Sequence, residues 1–452
     1  MPARRAARSP VASLVLAAGL AVVGCGKGRF APSPVALPEG KVWVDHLSRD
    51  LAPFWLRPEA LGSPVGAFPT FRCDDGSLVD LELPCGELLV AGTWVSSRLG
   101  VEYTRMRSRQ TFFYGVAGPP VPARSSQDLA YANLGLAFWA YLTRDPDVLA
   151  DALLLYEGIF DRYDDPERGL LRWAAGGVGG ETARVELVAQ LDQVNAYALL
   201  LASFAPEPHR SRLRADLARI ARVLIDRFWS AELGLFHGSL HDPVERGPGA
   251  RHTDFGHTVK ALWMIERTGA LLGDEALSSW ARERLPGLLE KAYLPRYGCW
   301  ATGLRLDGSL DAGVTWWTAA ELDQAAATLA LTDSGYTGYL EKTWTCWLDR
   351  LVDHENGEVW SWIDLDRPER RGAKQHLWKN GYHSAEHALV SYLVAQELHG
   401  RPATLYFAPA EGTALGTFRP YFFSGAATVG PERRLESIPS RRSIAVSFRG
   451  LR

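Results

Sequence analysis

Two histidines, an asparagine and a glutamate hold equivalent places in four copies of one spacing. An acidic residue is followed eight positions later by a glycine, at Asp161/Gly169, Asp226/Gly234, Glu290/Gly298 and Asp349/Gly357, and 23 to 26 positions beyond each glycine stand Asn195, His257, Glu321 and His383. An imidazole with an ordinary pKa of about 6.5 can take and return a proton near neutral pH. Two imidazoles facing one cavity can therefore serve opposite faces of a carbon acid. The plainer alternative is a pair of helix-start histidines satisfied by backbone groups. Their equivalent places in a repeat, in Asp254-Phe255-Gly256-His257 and Lys379-Asn380-Gly381-Tyr382-His383, favour shared chemistry.

Glu321 closes the run Trp316-Trp317-Thr318-Ala319-Ala320-Glu321. A carboxylate beside tryptophans suits a sugar, because apolar ring faces stack on indoles while hydroxyls bond to carboxylate and amide groups. A core tryptophan pair with a capping acid is the alternative. Arg109 precedes the aromatic run Phe112-Phe113-Tyr114, and a guanidinium facing the cavity would stabilise a developing enediolate oxygen. His252, His376 and His387 could join a metal site, and His383 and His387, four apart, could share a helix face. Neither a metal nor a cofactor is expected.

The elements that must position these groups are helical. Apolar residues recur at helical spacing near 39–57, 98–116, 127–142, 147–163, 187–204, 207–230, 254–271, 274–294, 315–332, 335–353 and 382–399. Each repeat glycine precedes a short aromatic or branched run, at 170–173, 235–237, 299–302 and 358–362, that reads as a small strand. The glycines are separated by 65, 64 and 59 residues (234−169, 298−234, 357−298), so one unit of helix, short hairpin and helix is repeated. Such units bury their apolar faces only by stacking, in an open solenoid or a closed ring. The helix after each hairpin is unusually apolar, as expected of the inner helices of a ring. The predicted fold class is all-α, an (α/α)6 toroid or barrel over 39–403. One helix is missing between Tyr114 and Gln127, where Gly118-Pro119-Pro120-Val121-Pro122 cannot be helical. Alternating patterns at 404–408, 417–423 and 443–449 predict a β extension over 404–452, read as a cap or appendage.

Forty-nine basic and 52 acidic side chains and a net charge of −3 give no electrostatic case for nucleic acid. Residues 1–24 carry Arg4, Arg5 and Arg8 and an apolar run from Val11 to Val23, the layout of an export signal. Val22-Val23-Gly24-Cys25 resembles a bacterial lipobox. Lipidation at Cys25, a leash over 26–38 and a periplasmic or surface-facing place in a bacterial cell envelope are expected. No later stretch is long and apolar enough to span a bilayer. A disulfide between Cys73 and Cys85 is possible in an oxidising compartment, whereas Cys299 and Cys346, among Trp300, Trp344 and Trp347, are expected to be buried thiols.

Over residues 40–400 the chain resembles the N-acylglucosamine 2-epimerase family, which includes cellobiose 2-epimerases and aldose–ketose isomerases. The resemblance rests on Arg109 to Tyr114, Gly256-His257, Trp316-Trp317 with Glu321, and Lys379 to His383. It implies an (α/α)6 barrel and a reaction that opens the sugar ring, then moves a proton at C2 or between C1 and C2. His257 and His383 would be the acid/base pair, and Arg109, Asn195, Trp317, Glu321 and Tyr382 would contact substrate. Asn195 stands where many members have a third histidine, Lys260 where a glutamate is common, and Glu386 where an arginine is common. The function expected is a sugar 2-epimerase or isomerase acting on a mannose-type, glucose-type or N-acylated sugar. A carbohydrate-binding lipoprotein that has lost the reaction is one alternative. The other is a glycoside hydrolase or lyase working through Asp254, Glu321 or Asp323.

Overall fold

The computed structural model describes residues 36–62, 69, 72–78, 125–174 and 184–452, apart from 242, 377 and 415. Cys25, Cys85, Arg109, the 98–116 segment and the proline-rich break at 118–122 lie outside the described residues. Every other helical segment expected from the apolar spacing is found. These are α1 (40–55), α2 (Ser126–Thr143), α3 (Pro146–Tyr163), α4 (187–201), α5 (209–228), α6 (Phe255–Leu272), α7 (Glu275–Arg282), α8 (Leu285–Ala292), α9 (Trp316–Ala330), α10 (337–351) and α11 (Tyr382–Leu398).

One expected helix, 274–294, is broken into α7 and α8. Pro286 falls in the first turn of α8, where its missing N–H costs nothing, whereas inside a continuous helix it would remove a hydrogen bond and clash with the preceding turn.

The repeat is a structural unit. Antiparallel two-residue strands pair Asp164–Asp165 with Leu170–Leu171, Trp229–Ser230 with Leu235–Phe236, and Tyr293–Leu294 with Cys299–Trp300, and a single bridge joins Val352 to Val359. At each turn the repeat glycine has a left-handed backbone, with φ of 69°, 64°, 65° and 83° at Gly169, Gly234, Gly298 and Gly357. Its N–H donates to a carbonyl four residues back, on Asp165, Ser230, Leu294 and Asp353 respectively. Only glycine takes this conformation without a Cβ penalty, which is why the spacing is visible in the sequence.

Burial separates inner helices from outer ones. Every residue of α4 is buried. From Phe255 to Gly269 of α6 every residue but His257 is buried, and in α9 every residue but Trp317. The outer helices α3, α5 and α7 bury one stripe and expose the rest. Around the inside, α6 packs on α9 and α9 on α11, while α2 packs on α4. Among the described residues no helix is long and apolar enough to cross a membrane.

Two expectations are corrected. Cys299 and Cys346 form a disulfide rather than two buried thiols. The hairpin after α8 and the middle of α10 are 47 residues apart in sequence, and only packing makes them neighbours. At the C terminus the sheet consists of Ala403–Phe407, Arg442–Arg449 and Ala426–Arg434, in that order. Residues 417–423 are not a strand. Their aromatic run, Tyr421-Phe422-Phe423, is buried in the common core, because it turns into the barrel instead of pairing at a sheet edge. The extension is thus packed into the barrel and not appended to it.

Candidate active site

The site sits where the N-terminal turns of the inner helices meet. Asp254 caps α6: its Oδ1 accepts the backbone N–H of His257 at 2.8 Å, and its Oδ2 lies 2.8 Å from His257 Nδ1. One carboxylate therefore starts the helix and holds the imidazole, leaving Nε2 of His257 as its other ring nitrogen. Interaction with His257 outweighs the cost of burial and keeps the Asp254 carboxyl below its usual pKa. A Cβ on Gly256 would come within 2.3 Å of the Trp317 ring, so glycine before the histidine lets α9 lay its indole against α6.

Trp317 packs against both histidines, with ring centroids 4.7 Å from His257 and 6.1 Å from His383. The two imidazoles are mostly buried, their side chains keeping 16% and 13% exposure. His383 Nδ1 is 3.2 Å from Glu321 Oε1. Burial, reinforced by the positive charge of Lys260, pushes the His383 pKa down to about 3, so its ring is neutral. Burial also pushes Glu321 up to about 7 and Glu386 up to about 7, the latter helped by the neighbouring charge of Glu321.

Four residues absent from the expected site set join it through hydrogen bonds. Lys260 Nζ is 3.0 Å from Asp192 Oδ1 and 3.3 Å from the Tyr131 hydroxyl, and Gln127 Nε2 donates to Asp192 Oδ2 at 2.7 Å. Burial disfavours the ammonium, but Asp192, Tyr131 and Glu321 outweigh it and hold the Lys260 pKa above its ordinary value. Lysine where the resembled family has glutamate is therefore neutralised by an acid one helix away. The sequence signal was a charge on each of two apolar helices, Asp192 alone on α4 and Lys260 near the start of α6.

Below this level Tyr382 donates to Glu386 Oε1 at 3.0 Å and to Asn195 Oδ1 at 3.4 Å. The buried Tyr421 hydroxyl, from the C-terminal extension, also donates to Glu386 Oε1. No local spacing announced Tyr421.

Of the expected site residues, His257, His383, Trp317, Glu321, Tyr382 and Asn195 are brought together, and Arg109 lies outside the described residues. His252 joins the edge of the site, its ring 4.6 Å from His257. His387 does not join it: its Nε2 is 2.9 Å from Asp323 and its ring lies 4.0 Å from Trp347 in the core. Successive turns of α11 thus send His383 to Glu321 and His387 to Asp323. His376 packs on the indole of Trp316 at 5.8 Å.

No family model and no curated protein matches the chain. Solved structures do. A cellobiose 2-epimerase from Spirochaeta thermophila aligns with a TM-score of 0.59 at 20% identity, covering 79% of this chain and 96% of that one. The chain shares its (α/α)6 fold. A cellobiose 2-epimerase from Bacillus thermoamylovorans aligns with a TM-score of 0.61 at 14% identity, over 79% and 99%, and a D-mannose isomerase with 0.59 at 14%, over 79% and 97%. At these identities the likeness concerns the fold.

Proposed function

We propose that the chain is a sugar 2-epimerase or aldose–ketose isomerase of the cell envelope, working by proton transfer at C2 of an open-chain sugar. The observation that supports this reading is that the rings of His257 and His383 both pack against the one indole of Trp317. A sugar stacked on the indole offers its C2–H to His257, whose Nε2 accepts the proton because Asp254 occupies Nδ1. The C2–H electron pair becomes the C1=C2 double bond of an enediolate as the carbonyl pair moves to O1, and the charged Lys260 favours the negative charge that develops there. Glu321, whose pKa burial raises to about 7, gives the returning proton to His383 once its carboxyl turns toward Nδ1, 3.2 Å away. Return to the opposite face of C2 inverts it, and return to C1, with the O2–H proton moving to O1, makes the ketose. His257 and Glu321 then exchange protons with water before the next turnover.

The hydrolase reading is weaker. Asp323, one of its candidate acids, accepts from Trp300 Nε1 at 2.7 Å and Thr343 Oγ1 at 2.5 Å, a structural role away from the cavity. The structures named above act on cellobiose or mannose, and a mannose- or glucose-type sugar is the substrate class proposed here. Incubation with mannose-type, glucose-type and N-acetylated sugars in heavy water, read by NMR at C1 and C2, tests the proposal. His257→Asn and His383→Asn should each abolish deuterium incorporation; full exchange in either variant refutes the assigned roles. Attachment through a lipidated Cys25 rests on the lipobox-like sequence, and Cys25→Ala should release the chain from membranes.

A further inference from the structure

Two inner helices bring three ligand-type side chains to one point. His383 and Glu386 are three residues apart on α11 and so share a face, and α11 packs on α9, which carries Glu321. One ligand atom from each of the three lies within 4.8 Å of the other two. Glu321 has no exposed surface and Glu386 only 3%. Each keeps one oxygen without a hydrogen-bond partner, Oε1 of Glu321 and Oε2 of Glu386, and Nδ1 of His383 is also without one. His383 Nδ1 stands 3.2 Å from Glu321 Oε1, but the two are not aligned as donor and acceptor.

Buried polar atoms left bare cost about 1–3 kcal/mol each. Three residues that each keep a bare buried atom, and that bring ligand atoms within 4.8 Å of one another, therefore call for a common occupant. Carboxylate oxygens and the bare lone pair of a neutral imidazole accept only, so the occupant must be an electron-pair acceptor or a donor of several protons. The remaining oxygens are already held: Glu321 Oε2 accepts from Gln324 Nε2 at 3.2 Å, and Glu386 Oε1 accepts from Tyr382 and Tyr421. Outer contacts of this kind orient metal ligands.

We propose that Glu321, His383 and Glu386 form a binding site for a first-row divalent cation. Two carboxylates and one imidazole suit Mn2+, Fe2+ or Zn2+ better than the all-oxygen preference of Ca2+ or Mg2+. Three protein ligands leave further positions open to water or to sugar hydroxyls. On α11 the His-to-His spacing of four sends His387 to Asp323 in the core, whereas the His-to-Glu spacing of three brings both His383 and Glu386 to Glu321. Where the isomerase reading holds, a bound cation takes the imidazole lone pair of His383 and stops proton transfer, so zinc inhibits the reaction.

The test is a titration of the full-length chain, stripped with chelator, with Zn2+ against a chromophoric chelator. One equivalent should bind, and Glu321→Gln and Glu386→Gln should each weaken it at least about tenfold. Because a buried substitution can impair folding, the parent is also titrated with Co2+, whose visible absorption should saturate at one equivalent. No saturable binding in the parent, or unchanged affinity in folded Gln variants, overturns the proposal. Neither readout involves sugar. A chain that binds zinc through these residues but exchanges no deuterium refutes the isomerase and leaves the metal site standing, and an exchanging chain that ignores zinc does the reverse.

Discussion

Asp254→Asn separates the two tasks of one carboxylate. In the native site both oxygens accept, one from the backbone N–H of His257 and one at its Nδ1, each at 2.8 Å. An amide offers only one oxygen. If that oxygen stays on the helix cap, the NH2 group faces Nδ1 and drives the imidazole proton to Nε2, removing the base. If it turns to Nδ1, the cap becomes a contact between two donors and leaves a backbone N–H unmet, at about 1–3 kcal/mol. Moving a proton between ring nitrogens leaves no group unmet, so the cap survives and the tautomer reverses. Asparagine is as good a cap as aspartate, and stability should change by less than about 1 kcal/mol. A misplaced general base costs about 10²- to 10⁴-fold in rate, or about 3–5 kcal/mol in barrier at 1.36 kcal/mol per decade. The assay is deuterium incorporation at C2 by NMR, alongside denaturant unfolding. A rate within about threefold of the parent, less than about 0.7 kcal/mol of barrier, would show that Asp254 does not set the tautomer.

Further outcomes follow from other contacts. Tyr421→Phe deletes a buried hydroxyl that donates to Glu386 and should destabilise the whole barrel by about 1–3 kcal/mol; unchanged unfolding would show the extension to be an appendage after all. The Cys299–Cys346 disulfide closes a separation of 47 residues, so replacing both with alanine should cost up to about 4 kcal/mol by loop entropy, and a midpoint insensitive to the substitution contradicts that. His376 Nδ1 accepts from the Trp378 N–H at 3.2 Å, and burial, then Lys379, lower its pKa to about 4. Its folded pKa is below the unfolded value, so its contribution is complete above about pH 6.5 and is lost as pH falls toward 4. Between pH 7.5 and 4 the parent should lose at most about 3 kcal/mol relative to His376→Gln, measured by denaturant midpoints; parallel pH curves would exclude the effect.

Local chemistry made much of this protein readable from its residues alone. A left-handed turn admits glycine almost exclusively, so the four repeat glycines marked the hairpins. An inner helix is packed on most sides, so its polar positions stood out, and His257, Glu321 and His383 were legible as candidate site residues for that reason. What the spacing could not show were partners joined across the barrel. Lys260 and Asp192 are 68 residues apart, Tyr421 and Glu386 35, and Cys299 and Cys346 47. Periodicity records which face of an element is buried, not which distant side chain meets it there. The charge state of Lys260, the neutrality of His383 and the convergence of His383 with Glu321 and Glu386 depend on those meetings, and only the packed barrel decided them.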